Sequence, residues 1–105
     1  MLQFTAMKIV KQTDRYMKWF KRLKDLQAKA RIAVRIRRLQ NGDVGDAKSV
    51  GGDVRELRLH FGPGYRIYFT ERNGSVIILL AGGDKSSQTA DIKAAIAMSI
   101  QIKEA

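Results

Sequence analysis

One segment, residues 56–69, constrains the fold of this chain more than any other. It reads Glu-Leu-Arg-Leu-His-Phe, then Gly-Pro-Gly, then Tyr-Arg-Ile-Tyr-Phe. Apolar and polar residues alternate on both sides of the Gly-Pro-Gly, which predicts two antiparallel strands joined by a turn. One face of this hairpin is apolar, and the other carries polar side chains that include Arg58, His60, Arg66 and Tyr68. Cations and hydroxyls held on one surface suit the recognition or cleavage of a phosphodiester.

Two helices are predicted between a first strand at residues 4–11 and the hairpin. Thr13 or Asp14 can cap the first helix, which runs to about residue 23. Its apolar residues recur at i, i+3, i+4 and i+7 and form one stripe: Tyr16, Trp19, Phe20 and Leu23. The second helix runs from about Leu26 to Leu39, and we expect its inward residues to be Ala30, Ala33, Ile36 and Leu39. Residues 13–40 should therefore form an αα-hairpin that is apolar beneath and basic outside.

The rest of the chain predicts a sheet and a final helix. Residues 42–53 hold four glycines and are expected to form a loop. Asn73-Gly74 between apolar runs signals a second tight turn, and residues 75–82 are apolar on both faces, as in a central strand that is covered on both sides. A helix over about 87–103 should face inward through Ile92, Ala95, Ile96, Ser99 and Ile100. The expectation is a single α+β domain over residues 1–105, ordered β-α-α-β-β-β-α, with a mostly antiparallel sheet at about 54–82 packed against the αα-hairpin.

The basic charge of the chain is concentrated near its start. The formal net charge is +10, and residues 8–38 alone contain twelve Lys or Arg against two Asp. The remaining residues balance, with eight basic and eight acidic side chains. An excess this localised predicts a polyanionic partner, such as RNA, DNA, the ribosome or an acidic protein segment, rather than a face that serves solubility alone.

Composition excludes several classes of protein. The chain has no cysteine and one histidine, which removes disulfides and thiolate metal sites and argues against a zinc hydrolase. The longest apolar run, residues 76–81, is far too short to cross a bilayer. Residues 1–10 lack the charged and then apolar pattern of a secretory signal. We therefore expect a cytoplasmic protein with no metal or cofactor and no membrane partner.

Several segments together resemble a known family. These are Trp19 in the first helix, Glu56-Leu57-Arg58, the Gly-Pro-Gly-Tyr-Arg of residues 62–66, and the Gly-Gly-Asp-Lys-Ser-Ser-Gln of residues 82–88 followed by Asp91-Ile92. In this combination the chain resembles the addiction-module killer proteins, which are HigB-like toxins of the RelE/ParE superfamily. The resemblance extends over about residues 4–103, and the order of elements agrees with it.

The resemblance implies the toxin of a type II toxin-antitoxin module. RelE-like members cut mRNA in the ribosomal A site, whereas ParE-like members share the fold and poison DNA gyrase. The implied partners are the ribosome, mRNA and a cognate antitoxin, usually a helix-turn-helix DNA-binding protein. The implied activity is a metal-independent endoribonuclease that inhibits translation.

Cleavage through the 2′-hydroxyl of RNA requires a base, stabilisation of the charge on phosphate, and an acid for the 5′-oxygen. Arg66 matches the catalytic arginine of the superfamily, and its forked guanidinium suits phosphate; the alternative is a cross-strand ion pair with Glu56. Arg58 and Lys85 are candidate phosphate contacts, although either could be an ordinary surface cation. His60 and Tyr68 are candidate proton-transfer groups, with a bystander histidine and a core aromatic as the alternatives.

The helices are candidates for RNA or ribosome binding through exposed basic residues: Lys18, Lys21, Arg22, Arg31, Arg35 and Arg38. Several ribonucleases of the superfamily complete their site with a tyrosine or histidine near the C-terminus, but residues 88–105 contain neither. Two other functions therefore stay open, a gyrase inhibitor and a basic module that binds nucleic acid or a partner without chemistry. The paired Arg58 and Arg66 favour the nuclease.

Overall fold

A computed structural model describes residues 7–102, which form five strands, three α-helices and a short 3-10 helix. In chain order the elements are β1 (Ile9–Gln12), α1 (Asp14–Arg22), α2 (Leu26–Gln40), β2 (Ala47–Gly51), β3 (Val54–Arg58), β4 (Arg66–Arg72), β5 (Val76–Gly83), the 3-10 helix (Lys85–Ser87) and α3 (Gln88–Gln101). The predicted α+β class and the order of helices and strands are confirmed, with one strand more than expected. The predicted first strand began at residue 4, and residues 4–6 lie outside the described residues.

The strands form one sheet in the order β1-β5-β4-β3-β2. All neighbouring pairs are antiparallel except β1 with β5, which is parallel. Asn73 and Gly74 both have positive φ, 57° and 66°, as the tight turn between β4 and β5 requires. The sheet is therefore mostly antiparallel, as predicted, and β5 lies between β1 and β4.

The two faces of the sheet are covered by different helices. On one face Ile77 and Leu79 of β5 belong to a core shared with Tyr16 of α1 and Ile32 of α2. On the other face Ile78 and Leu80 pack in a second core with residues of α3. The prediction that β5 is covered on both sides is confirmed, and each apolar face of the sheet has its own helical layer.

The helices α1 and α2 begin at capping residues, as predicted for α1. The residues of α2 that face the core differ from those predicted. The hydroxyl oxygen of Thr13 accepts from the backbone N–H of Tyr16 at the start of α1, and the Asp25 carboxylate caps α2. The buried residues of α2 are Ala28, Ile32 and Leu39, whereas the predicted Ala30 and Ala33 are exposed. Alanine and aliphatic residues lie on both sides of this helix, so periodicity alone could not fix which side packs on the sheet.

The predicted loop at residues 42–53 was partly wrong, because it contains β2. This strand pairs with β3 through a turn at Gly51 and Gly52, both with positive φ. Few β-branched or aromatic residues mark it, and its four neighbouring glycines are typical of loops. The strand β2 is stabilised by its pairing with β3. The residues of β2 alone do not indicate that pairing.

Candidate functional site at the end of the sheet

The ends of three strands bring the predicted phosphate-binding residues together. Arg58, the last residue of β3, lies opposite Arg66, the first residue of β4, and Arg66 lies opposite Gly83 at the end of β5. The backbone N–H of Lys85 donates to the carbonyl oxygen of Pro63 at 3.3 Å, which places Lys85 beside the turn that precedes Arg66. We call this region the sheet-end site.

Arg66 is buried, with 8% of its surface exposed. Its Nε and Nη1 atoms are inaccessible to solvent and have no hydrogen-bond partner among residues 7–102. The alternative considered from sequence, an ion pair with Glu56, is not formed within the described part of the chain. A buried guanidinium with unsatisfied N–H groups is costly, which is typical of a group kept for function.

The polar face of the hairpin is not an open surface, which corrects the expectation from alternation. Glu56 and Tyr68 are fully buried on the face of the sheet that α3 covers. Strand alternation correctly places Tyr68 on the same face as Arg66, but its ring is part of the core there. The physical reason is the last helix, whose inward stripe packs on this face and not on the α1–α2 side.

A carboxylate and a phenol lie together in this buried layer. The Tyr68 hydroxyl donates to Glu56 Oε2 at 3.0 Å, and Gln88 Nε2 donates to the same oxygen at 2.8 Å. Glu56 Oε1 is buried without a partner among the described residues. Burial, followed by the hydrogen bond to Glu56, raises the pKa of Tyr68 well above its ordinary value. The phenol therefore stays protonated at neutral pH, with its hydrogen directed at Glu56.

The Gly-Gly-Asp-Lys-Ser segment has a steric basis. A Cβ at Gly82 would overlap the ring of Trp19, and a Cβ at Gly83 would overlap the carboxylate of Asp91. Asp91 is itself buried and accepts from Ser87 Oγ at 2.5 Å. The two glycines thus allow α1 and α3 to approach the end of β5 from opposite sides.

Sequence reasoning assigned no role to three polar residues of this layer. Glu56 was considered only as an ion-pair partner, and Gln88 and Asp91 entered only as part of the family resemblance. Alternation placed Glu56 on the polar face of the hairpin, so the strand pattern gave no signal for its burial. Because the burial depends on where α3 packs, the strand pattern alone could not show it.

Arg58 and His60 point to a different place, a cleft beside α2. We call it the α2 cleft; its volume is about 780 Å³, and it lies between α2, residues 43–46 and residues 58–61. Arg58 contacts Asp46 Oδ1 through Nη2 at 2.9 Å and Nε at 3.3 Å, and His60 Nε2 contacts Asp46 Oδ2. Hydrogen bonds from His60 and then Arg58 lower the pKa of Asp46. Of the two candidates, only Arg58 belongs to both the cleft and the sheet-end site.

The predicted RNA-binding residues divide between two clefts. Arg31, Arg35 and Arg38 line the α2 cleft. Lys18 and Arg22 line a second cleft of about 540 Å³ at the end of β5, next to Asp84 and Asp91, while Lys21 is exposed elsewhere on α1. The basic side chains therefore form two separate surfaces and not one continuous ridge.

Residues 7–102 contain no group of three or more acidic or histidine side chains that could hold a metal ion. Within the same residues, no helix combines the length and apolar character needed to cross a bilayer.

Residues 18–101 match the model of one protein family, described as phage-derived protein Gp49-like (DUF891). The chain belongs to the Gp49-like family. An uncharacterised protein of Haemophilus influenzae is 51% identical to this Gp49-like chain over 86 residues, which cover 82% of the chain and 87% of the relative. The family match includes every segment on which the resemblance rests, from Trp19 to Ile92.

Solved structures share the fold of this Gp49-like protein. An arginine double mutant of the Escherichia coli toxin RelE in the free state superposes with a TM-score of 0.70 at 14% identity, over 88% of this chain and 97% of RelE. The intact E. coli RelBE toxin-antitoxin complex gives a TM-score of 0.61 at 16% identity, over 73% of this chain and 95% of the matched chain. The resemblance to the RelE/ParE superfamily is thus confirmed in the fold.

Proposed function

We propose that this chain is the toxin of a type II toxin-antitoxin module and that it cleaves mRNA on the ribosome. The observation that carries the proposal is Arg66, a buried guanidinium whose Nε and Nη1 have no partner within residues 7–102 and whose backbone lies between Arg58 and Gly83 at the end of the sheet. The RelE-like fold supports the proposal, because the solved relatives are a toxin and a toxin-antitoxin complex.

The proposed chemistry is attack of the RNA 2′-hydroxyl on the adjacent phosphate. Arg66 stabilises the extra negative charge of the transition state through its free N–H groups, and Arg58 and Lys85 contact the phosphate or bases. Tyr68, which stays protonated, is the candidate donor to the 5′-oxygen, and Glu56 is the candidate acceptor for the 2′-hydroxyl proton. His60 is the alternative proton-transfer group, directed toward the α2 cleft.

The burial of this layer supports the proposed dependence on the ribosome. Glu56, Arg66 and Tyr68 are buried, and Tyr68 packs in the core that includes residues of α3, so we propose that this layer opens when substrate enters. We propose that the ribosome supplies the binding energy for this step and orients the mRNA. The basic residues of α1 and α2 then contact ribosomal RNA, and the protein acts in the cytoplasm, where ribosomes are.

The proposed inhibitor is a cognate antitoxin, a helix-turn-helix DNA-binding protein as in HigB-like modules. Its binding would keep the toxin off the ribosome, either by covering the sheet-end site or by occupying the basic helices. A short neighbouring reading frame that encodes such a protein would support this part of the proposal.

A gyrase inhibitor is the second candidate, favoured by one observation. The described part of α3 contains neither tyrosine nor histidine, and the proton-transfer groups offered here are buried. In that case the same arginines would be binding groups, and supercoiling by gyrase would be blocked while mRNA stays intact. A basic binding module without chemistry would affect neither reaction.

The deciding experiment incubates purified protein with a defined mRNA, with and without programmed ribosomes, and maps the cut ends. Cleavage that appears only with ribosomes supports the proposal. Absence of cleavage in both reactions, together with inhibited supercoiling in a parallel gyrase assay, would replace it with the second candidate.

A further inference from the structure

The α2 cleft contains a flat cation–aromatic pair. The guanidinium carbon of Arg31 lies 4.6 Å from the centroid of the Phe61 ring. Phe61 is partly buried, and its other ring neighbour is Tyr65, with centroids 5.4 Å apart. Such a supported platform is what single-stranded RNA uses, because bases stack on aromatic rings and on planar guanidinium groups.

The cleft is also strongly basic. Its lining contains Arg31, Arg35, Arg38, Arg58 and His60 against two acidic residues, Asp43 and Asp46. Arg35 is engaged with the carbonyl oxygen of Val44 at 2.9 Å, whereas Arg38 is exposed. Asp46 contacts both Arg58 and His60 in the cleft, where its carboxylate occupies the position that a phosphate group would take between these two side chains.

The cleft and the sheet-end site share one residue, Arg58. Arg58 lines the cleft, and its Cα is directly opposite that of Arg66 in the neighbouring strand. Backbones of paired strands lie about 5 Å apart, which is less than the length of one nucleotide. RNA in the cleft would therefore lie close to the start of β4, and the buried guanidinium of Arg66 would become accessible to it only when the buried layer opens.

We propose that the α2 cleft binds a single-stranded segment of the RNA substrate, with a base on the Arg31–Phe61 platform and phosphates at Arg38, Arg58 and His60. This proposal rests on the proposed function and names its substrate-binding surface. The aliphatic lining, Ala30, Val34 and Leu59, would also accept an acidic protein segment. RNA is favoured because bases stack on aromatic and guanidinium groups of this kind and because the cleft shares Arg58 with the sheet-end site.

The test uses the full chain and a fluorescent 2′-O-methyl dodecauridylate, which cannot be cleaved through its 2′ position. Binding is measured by anisotropy. Phe61→Leu should raise Kd about tenfold, the usual effect of losing one stacked base, and Phe61→Tyr should restore most of it. Arg38→Gln should raise Kd several-fold, while Arg37→Gln, its exposed neighbour outside the cleft lining, should change Kd less than twofold. Circular dichroism melts confirm that each variant is folded.

Two results would overturn the proposal. Equal effects of Arg37→Gln and Arg38→Gln, with none from Phe61→Leu, would mean that RNA is held by net charge alone. A dodecaglutamate peptide that binds as tightly as the RNA, and weakens equally in Phe61→Leu, would assign the cleft to an acidic protein segment.

The proposal and the proposed function fail in different ways. Ribosome-dependent cleavage with unchanged KM in Phe61→Leu and Arg38→Gln would refute RNA binding in the α2 cleft, while the proposed nuclease function would stand. Specific RNA binding in the cleft without any cleavage would support the cleft proposal and refute the proposed nuclease function.

Discussion

At the scale of single residues, the protein contains buried polar groups that lower its stability. Among the residues that the structure describes, the buried Nε and Nη1 of Arg66 have no hydrogen-bond partner, and neither has Oε1 of Glu56. Each such atom costs free energy of folding, because its hydrogen bonds to water are lost and not replaced. An arginine in a family motif could be predicted as functional from sequence. Its burial could not, because strand alternation places a side chain on a face without saying what covers that face.

Replacing Arg66 with methionine tests this reading of the residue. Methionine keeps most of the volume and removes the charge, so we expect Arg66→Met to raise the free energy of unfolding by about 1–3 kcal/mol while abolishing activity. Urea denaturation of both proteins measures the difference. Tyr68→Phe is the matched control: it removes a hydrogen-bonded hydroxyl from Glu56 and should be destabilising. A large loss of stability in Arg66→Met would show that the guanidinium is a structural group.

At the scale of elements, features that depend on residues close in sequence were predicted correctly, whereas features that depend on distant partners were not. Caps at Thr13 and Asp25 and the Asn73-Gly74 turn depend on residues close in sequence, and they were predictable. The inward phase of α2 and the presence of β2 depend on partners far along the chain, and they were missed. The same distinction applies to the site: strand register brings Arg58 opposite Arg66, whereas the layer of Glu56, Gln88 and Asp91 exists only because α3 packs on the sheet.

The contact between β5 and α1 should be intolerant of a single methyl group. A Cβ at Gly82 would overlap the Trp19 ring, so Gly82→Ala should destabilise the protein by about 1–3 kcal/mol. Thermal melts measure the effect. Trp19→Leu should relieve the overlap, so the double variant should lose less stability than the two single losses combined. Strict additivity would mean that Gly82 is required for another reason.

At the scale of the whole molecule, charge is distributed in two ways. Basic residues concentrate on α1 and α2, while three aspartates in loops and turns have a lowered pKa: Asp46 through His60 and then Arg58, Asp53 through Ser99, and Asp84 through Ser86. A carboxylate whose pKa is lower in the folded protein stabilises it at pH values above the ordinary pKa of about 3.8. That stabilisation is lost as pH falls through the folded value.

Acid should therefore destabilise the protein through these aspartates. The melting temperature of the unmodified protein should fall between about pH 5 and pH 2. Asp46→Asn should melt lower at neutral pH and lose less over the same interval, because its contribution is already absent. Melting curves at a series of pH values with constant ionic strength measure both slopes. Identical slopes would show that the Asp46 contacts contribute nothing to folding.

The central claim is that Arg66 stabilises the transition state of mRNA cleavage on the ribosome. The most direct measurement is the single-turnover rate of cleavage of a defined mRNA on programmed ribosomes, with enzyme in excess, for the unmodified protein, Arg66→Lys and Arg66→Met. The account predicts a rate lowered by about 100-fold or more in Arg66→Met, a partial loss in Arg66→Lys because the fork is missing, and unchanged binding to the ribosome in both. Equal rates in all three proteins would contradict it.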